Sequence, residues 1–557
     1  MTDLQAVVVI ALAALLGRFI TLPSLTMGAT RALAWRWLPL VLGAITSVFV
    51  AWLWGGLDQV PVIHDEWAIL LQAKIYATGH WTAPGLPLPE FFEQYHVFVT
   101  PKLFPKYPPG HAMLLVPGIW LGLPGLMPVL MLGLCGALVF EVSRRLTNPW
   151  VGLFSWIFWL TCTSVLDYAP SYMSESSTSA LWMLGWYALI RWLDDDGQLW
   201  LNVLAAAIGF GILDRPVTMV VFALPIAVII LARISKRRGW RELRTPIALA
   251  CATVAVWALW CQRTTGNPLQ APYGLYSRYY FPDDVMGFGL TGLQPLRELN
   301  PDMQQFNEYV KILHRDYTMA TLPVQLRERV VSIAANMWAT RAAFLPIAAL
   351  GLITTGAFVW VGIGTAMLLV LAYLSVGHGA HWTAYYVEFQ PVLAILTVMG
   401  WWRLTSLIAE RTLAWPLKVL RPVTAGTVFG MMVSGLILFP YITRSAPYIA
   451  SKKIDRREYQ SDFRTLLAMA PQKHIMVFVR YAPNHSAHES LIHNEPDLNE
   501  ARAWTMYDRG ADNVRLMRLD RARVPYLFDD EHRVLVQLDS TGAPIRNRVI
   551  VEPGSRY

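Results

Sequence analysis

The segment Trp37-Leu-Pro-Leu-Val-Leu-Gly-Ala-Ile-Thr-Ser-Val-Phe-Val-Ala-Trp-Leu-Trp-Gly55 is followed, one short loop later, by His64-Asp65-Glu66. The apolar run is close to the ~20 residues that a bilayer requires of a helix. Two adjacent carboxylates at the exit of such a helix are costly to place and hard to explain as packing. Ionisable groups at a membrane edge mark function by default. The competing reading is a solvated loop start, because acidic loop residues are common. About forty residues on, the chain adds Lys102, Lys106 and Tyr107-Pro108-Pro109-Gly110.

Composition agrees with a membrane chain. Of 557 residues 55% are hydrophobic and 15% charged, against roughly a quarter charged in soluble proteins. The 24 tryptophans suit rings that anchor at the membrane interface. The net charge of +8 needs no nucleic acid, since basic cytoplasmic loops give the same sum. No basic run with interleaved aromatics suggests a nucleic-acid face. Cys135, Cys162, Cys251 and Cys261 lie in apolar segments without CxxC spacing, so they read as small buried hydrophobes, not as zinc ligands or disulfides. Asp3 stands where a signal peptide would carry basic residues, so the first apolar run reads as a retained span.

The hydropathy pattern predicts an α-helical polytopic membrane protein of about 12 transmembrane helices. The expected spans are Leu4–Ile20, Trp37–Gly55, a Pro-Gly-broken stretch from His111 to Val142, Trp150–Leu166, Glu175–Leu193, Leu199–Leu213, Val217–Ala232, Pro246–Gln262, Ala342–Trp360, Val361–Val376, Val387–Trp402 and Thr424–Tyr441. The short pair 199–213 and 217–232 reads as a broken hairpin lining a cavity. The loops with Arg31 and Arg36, Arg144 and Arg145, Arg233 through Arg244, and Arg403 through Arg421 fall on one side, which the positive-inside rule makes cytoplasmic. The loops 56–112 and 263–341 and the tail then face outward, and their length suggests function. The domains expected are therefore 1–446 in the membrane and a small soluble α/β domain at 447–557, independently packed. Its strands are expected at Ile475–Val479 and Arg533–Leu538, with two more at Ala501–Tyr507 and Asn513–Leu519.

The order span, His64-Asp65-Glu66-Trp67, helical Ala68 to Gly79, then Lys102 and Lys106-Tyr-Pro-Pro-Gly110 resembles the C-type membrane glycosyltransferases (GT-C). Within them it is most similar to the protein O-mannosyltransferase and lipid A aminoarabinose transferase group. The resemblance covers roughly residues 37 to 240. Ser171-Tyr-Met-Ser-Glu175 and Gly209-Phe-Gly-Ile-Leu-Asp-Arg-Pro216 continue it. So does His378-Gly-Ala-His381-Trp-Thr-Ala-Tyr385-Tyr386, although histidines stand where many relatives carry Arg and Tyr.

The resemblance implies a polyprenyl-phosphate-linked sugar donor, a lipid, glycan or protein acceptor, membrane lipids as surroundings, and inverting transfer on the outer face. It implies a bacterial inner (plasma) membrane, with the active site and C-terminal domain extracytoplasmic. The chemistry needs a carboxylate to deprotonate the acceptor and a cation to stabilise the departing phosphate. Asp65 is the expected base, with Glu66 beside it. Either Glu66 or Glu175 is a candidate to hold sugar hydroxyls or a divalent ion, although no metal-ligand set is assigned. Lys102 and Lys106 read equally as interface anchors or phosphate ligands, and Tyr107 accompanies them. Arg215 reads as a partner of Asp214 or as a phosphate contact. Arg278 reads as loop packing or acceptor contact, and His381 and Tyr385 as substrate-binding candidates. His485, His488 and His493 are loosely spaced for a metal site. The alternative is a transporter or flippase of a lipid-linked substrate, which calls for inverted repeats and midplane charges; the sequence shows no such repeat. A scaffold acting through its tail is the third possibility.

Overall fold

The computed structural model describes residues 30–237, 239–338, 345–354, 356–410, 457–483 and 485–551. The expected spans Leu4–Ile20 and Thr424–Tyr441 and the start of the expected tail domain lie outside the described residues.

The apolar stretches fold as helices with recognisable starts and stops. Helix α1 (Leu38–Trp54) has proline in its first turn and ends on Gly55 in the left-handed region, φ 84°. It is followed by α2 (His64–Ala77), then α3 (Pro109–Trp120) and α4 (Leu126–Leu146). The stretch expected as one broken span from His111 is thus two helices, because Gly122 and Pro124 interrupt it. Helix α5 (Pro149–Leu160) is capped by Asn148, whose side chain accepts from the amides of Trp150 and Val151. The short α6 (Thr163–Tyr168) follows, so the expected span 150–166 is divided as well.

Helices α7 (Glu175–Asp195), α8 (Gln198–Asp214), α9 (Pro216–Arg237) and α10 (Arg244–Thr265) complete the central bundle. The pair expected over 199–232 as a broken hairpin is a shorter apolar helix, α8, followed by α9, which is long enough to span. Pro216 sits at the first turn of α9, where the missing N–H costs nothing. After helices α11 (Pro272–Tyr280), α12 (Pro301–Arg315) and α13 (Leu322–Trp338) come α14 (Leu345–Thr354), α15 (Ala357–Tyr373) and α16 (Gln390–Glu410). Gly356 precedes α15 and moves that boundary forward from the expected Val361.

Among the described residues, Leu126–Leu146, Pro216–Arg237 and Trp240–Thr265 are long and apolar enough to cross a membrane. Leu38–Trp54, Pro149–Leu160, Gln198–Asp214 and Trp360–Tyr373 are shorter apolar helices. Chain direction puts Arg144, Arg145, Arg233 and Arg237 at one end of the bundle. The starts of α2, α7 and α9 lie at the other.

Small residues set the closest packing. A Cβ at Gly43 of α1 would stand 2.7 Å from the Gly133 carbonyl oxygen of α4, so these backbones touch. The tryptophans divide: Trp54, Trp159, Trp182, Trp186, Trp192 and Trp260 are fully buried, whereas Trp35, Trp37, Trp52, Trp120, Trp240 and Trp360 are exposed. Interface anchoring therefore accounts for only part of their number. Cys135, Cys162 and Cys261 are buried, whereas Cys251 is exposed on α10.

The loop after α2 forms a three-stranded antiparallel sheet, order β1-β3-β2, from β1 (Ala83–Pro84), β2 (Val97–Phe98) and β3 (Lys102–Pro105). Beyond a helix α17 over 457–469, the tail forms a five-stranded sheet of order β5-β4-β6-β7-β8. Its strands are β4 (Ile475–Arg480), β5 (Ala503–Tyr507), β6 (Val524–Asp529), β7 (Val534–Leu538) and β8 (Pro544–Val551). The expected strand at Asn513–Leu519 is a helix, α18. Its apolar residues Leu516 and Met517 are adjacent and line one buried side, which a two-residue alternation would not do.

Strand β4 pairs in parallel with both β5 and β6 and is buried on both faces, which explains its uninterrupted apolar run. Ile475, Val477 and Val479 meet Tyr459, Phe463 and Leu466 of α17. Met476 and Phe478 share a core with Phe91, Phe92, Val97 and Leu103 of the first outer loop. The sheet thus depends on that loop for one of its two faces, in contrast to the independent packing expected of it.

Candidate active site

Helix α2 starts where the chain leaves α1, and its first turn carries His64, Asp65 and Glu66. Carboxylates are favoured there by the unsatisfied amides of the helix start. The two acids then diverge. Glu66 is buried, and its oxygens accept from the backbone amides of Val62 (3.3 Å) and Tyr172 (3.0 Å). It ties the start of α2 to the turn before α7.

Asp65, 24% exposed, meets side chains. The Tyr107 hydroxyl donates to its Oδ1. His64 Nδ1 lies 3.0 Å from Oδ2 and His96 Nε2 3.5 Å from Oδ1. The two imidazoles face each other, His96 Nε2 to His64 Nδ1 at 2.7 Å. Burial pushes the Asp65 carboxyl up, but the adjacent His64 and His96 and the hydrogen bonds from His64 and Tyr107 outweigh it and hold the group well below its ordinary range. Burial, reinforced by the Lys106 charge, holds His96 well below the usual imidazole value. Burial and the Asp65 charge push the Tyr107 phenol up, which keeps it a donor.

The small sheet builds this arrangement. His96 adopts φ 64°, a left-handed conformation uncommon for a non-glycine residue. Its N–H donates to the Tyr276 hydroxyl (2.7 Å) and its carbonyl accepts from the Lys106 amide (2.8 Å). Strain held by such bonds is characteristic of functional sites. The hydrogen bond from its amide fixes Lys106 at the end of β3, and its side chain is buried among Tyr273 (4.1 Å to the ring centre), Tyr276 (5.3 Å) and Tyr107 (5.7 Å). Its ammonium lies 3.3 Å from Asp284 Oδ2. Gly110 is needed directly after: a Cβ there would stand 2.7 Å from the backbone of Leu213 at the end of α8.

That close approach joins the loop to a second cluster. Arg215 Nη1 lies 3.2 Å from Glu175 Oε1 and 2.9 Å from Glu388 Oε1, and Thr178 donates to the same Glu388 oxygen at 2.9 Å. Arg215 thus pairs with Glu175 and Glu388, while Asp214 bonds Ser177 at 2.5 Å. Tyr385 lies between the clusters, its ring 5.9 Å from the Arg215 guanidinium, and within electrostatic reach of Asp65 and Asp284.

The remaining candidates lie elsewhere. Lys102 donates to the Arg263 carbonyl at an exposed position (2.9 Å), and Arg278 to that of Gln294 (2.9 Å). His381 is exposed, with its ring beside Trp382. Sequence reasoning missed His64 and His96 as partners of Asp65, and it missed Asp284 and Glu388. A lone Glu388 entering an apolar span was a usable signal, whereas Asp284 in a polar loop carried none. The tail sheet reaches the site: His488 stacks on His64 at 4.9 Å between ring centres, His493 stacks on Trp67 at 4.1 Å, and Lys74 pairs with Glu495 at 2.6 Å.

The fold has a counterpart among solved structures. The sequence profile of the dolichyl-phosphate-mannose-protein mannosyltransferases matches residues 125–261. The crystal structure of ArnT from Cupriavidus metallidurans bound to undecaprenyl phosphate superposes with a TM-score of 0.51 at 14% identity, over 88% of this chain and 90% of that one. The fold is that of the C-type membrane glycosyltransferases. ArnT from the same organism in the apo state aligns with a TM-score of 0.49 at 12% identity, over 88% of this chain and 93% of that one. The Archaeoglobus fulgidus oligosaccharyltransferase aligns with a TM-score of 0.44 at 11% identity, over 80% of this chain and 63% of its own length. No curated protein sequence is significantly similar to this one.

Proposed function

We propose that this chain transfers a sugar from a polyprenyl-phosphate-linked donor to a lipid, glycan or protein acceptor, with inversion, at the outer face of a bacterial inner membrane. Asp65 removes the proton from the acceptor hydroxyl or amine. The acceptor then attacks the anomeric carbon from the face opposite the phosphate, and the lipid phosphate departs with the electron pair of the broken bond. Lys106 stabilises the charge that grows on it. Residues 1–446 form the membrane part, and the extracytoplasmic unit 447–557 covers the site.

One observation carries this reading. A partly exposed carboxylate, Asp65, receives the Tyr107 hydroxyl next to the aromatic cage of Lys106, a buried cation facing a single carboxylate at 3.3 Å. A phosphate that displaces Asp284 would gain a charge-assisted contact in surroundings already shielded from water. Lys102 and Arg278, bound to exposed carbonyls, have no such setting. The GT-C fold and the neighbour bound to undecaprenyl phosphate support the donor class.

The test is transfer from a polyprenyl-phosphate sugar by Asp65→Asn and Glu66→Gln. Asp65→Asn keeps the shape and is expected to lower the rate by about 10²-fold or more with the donor still bound. Glu66→Gln, which leaves one amide without its acceptor, is expected to lower stability more than rate. An active Asp65→Asn enzyme would remove Asp65 from catalysis.

A further inference from the structure

We infer that His64, Asp65 and His96 form a binding site for one divalent transition-metal ion of the zinc class. One ligand atom from each residue lies within 4.8 Å of the others. The set comes from two separate elements, the first turn of α2 and the strained turn at His96, so the fold assembles it. Both histidines are 4% exposed, and Asp65 is 24% exposed. The three side chains therefore leave one direction open toward the cleft, as three-ligand catalytic metal sites do.

The unused nitrogens support this assignment. His64 Nε2 and His96 Nδ1 are buried and have no hydrogen-bond partner among the described residues. An ion that replaces the inward hydrogen bonds of His64 and His96 would move their protons to these outer nitrogens and turn both lone pairs inward, the form a metal requires. Two ligands about 2.1 Å from a tetrahedral ion stand roughly 3.4 Å apart. The 2.7 Å between the imidazoles must then widen by under about an ångström, a shift that side-chain rotation supplies.

Donor chemistry selects the ion. Two imidazoles and one carboxylate suit zinc, cobalt, nickel or manganese, whereas magnesium and calcium prefer all-oxygen sets. The carboxylates expected from sequence to hold a divalent ion are occupied otherwise, Glu66 by backbone amides and Glu175 by Arg215. One oxygen of Asp65 suffices for the ion. The other keeps the Tyr107 hydroxyl and remains available to an acceptor proton. An ion here would also polarise an acceptor oxygen or nitrogen at its open position.

The site stands on this geometry alone and does not require the glycosyl-transfer reading. The experiment titrates the chelator-treated full chain in detergent with Co2+ and follows its visible d–d absorption. One equivalent is expected to bind. The affinity is expected to fall by more than the ~10–100-fold that loss of an outer-sphere partner costs, both in His64→Gln and in His96→Gln. Zn2+ is expected to raise the unfolding midpoint of the wild type and not of the variants. X-ray absorption of the Zn2+-loaded wild type, which needs no variant, is expected to show two imidazole ligands. Absence of Co2+ binding, binding unchanged in both variants, or a spectrum without imidazoles would overturn the site. Each of these results would leave donor-dependent transfer by the same protein unaffected, so the two readings fail separately.

Discussion

Two charged clusters sit side by side at the same end of the helical bundle, and they are built on opposite terms. In the first, Arg215 is enclosed by Glu175 and Glu388 at 3.2 and 2.9 Å, and the three side chains are 12%, 4% and 0% exposed. In the second, Asp65 and Asp284 are 24% and 30% exposed, and buried Lys106 faces one carboxylate among three tyrosine rings. The Arg215 cluster joins α7, the junction of α8 with α9, and the turn before α16. It is an enclosed knot, one guanidinium between two buried carboxylates, that ties these helices together. The Asp65 and Lys106 cluster is partly exposed through its carboxylates, the setting that the proposed reaction requires. Charge alone does not separate the two clusters; the exposure of their carboxylates does.

The strongest challenge to this contrast is Arg215→Met. It leaves two buried carboxylates facing each other, and the expected cost is about 3–5 kcal/mol of stability, read as a large fall in the unfolding midpoint. A folded Arg215→Met protein with weakened donor binding would instead move Arg215 into the substrate site.

Glu93 comes next. It is buried beneath the outer loop, where burial pushes its carboxyl up to about 7 while the Tyr280 hydroxyl and Arg297 pull it down. A raised carboxyl pKa means that the folded state holds its proton longer than the unfolded state does. Stability is then expected to fall as pH rises from about 4.5 to about 7, by up to ~3 kcal/mol, and to level off above. Glu93→Gln is expected to flatten that part of the unfolding-midpoint profile, and an unchanged profile would show a charged Glu93 across the range.

Lys106→Ala is expected to weaken lipid-phosphate donor binding by about 1.5–3 kcal/mol, with Lys102→Ala close to wild type in the same binding measurement. Equal losses would show that the aromatic cage confers no advantage. The smallest effect is expected for Glu495→Ala, which removes the partly exposed pair with Lys74 at 2.6 Å. A change within about 1 kcal/mol in the midpoint fits a tail sheet held by its shared apolar core with Phe91 and Phe92. A larger loss would mean that charge holds it.

Much of the fold was legible. The apolar runs with their proline starts became helices, and the β-branched run Ile475–Val479 became a strand. Of the short pair over 199–232, the first helix is close to its expected length, whereas the second runs on from Ala232 to Arg237, because hydropathy falls where charged residues begin although the helix continues through them. Asp65 and Glu66 looked interchangeable in sequence. One step along a helix turns a side chain by about 100°, and that rotation sends Glu66 to backbone amides and Asp65 to the histidines and Tyr107. Lys102 and Lys106 looked alike too, yet only Lys106 follows the turn that carries it beneath the tyrosines of α11.

The sequence by itself determined the membrane character, the helical fold class and the tail strands β4, β5 and β7, though not β6 and β8. These follow from hydropathy, turn residues and the cost of ionisable groups, all local properties of the chain. Only the tertiary structure decided which charges answer one another. His96 reaches Asp65 from 31 residues away through a left-handed turn, Glu388 reaches Arg215 from another helix, and the tail sheet borrows one face of its core from the first outer loop. Such contacts depend on the packing of distant segments, and no local pattern encodes their distances.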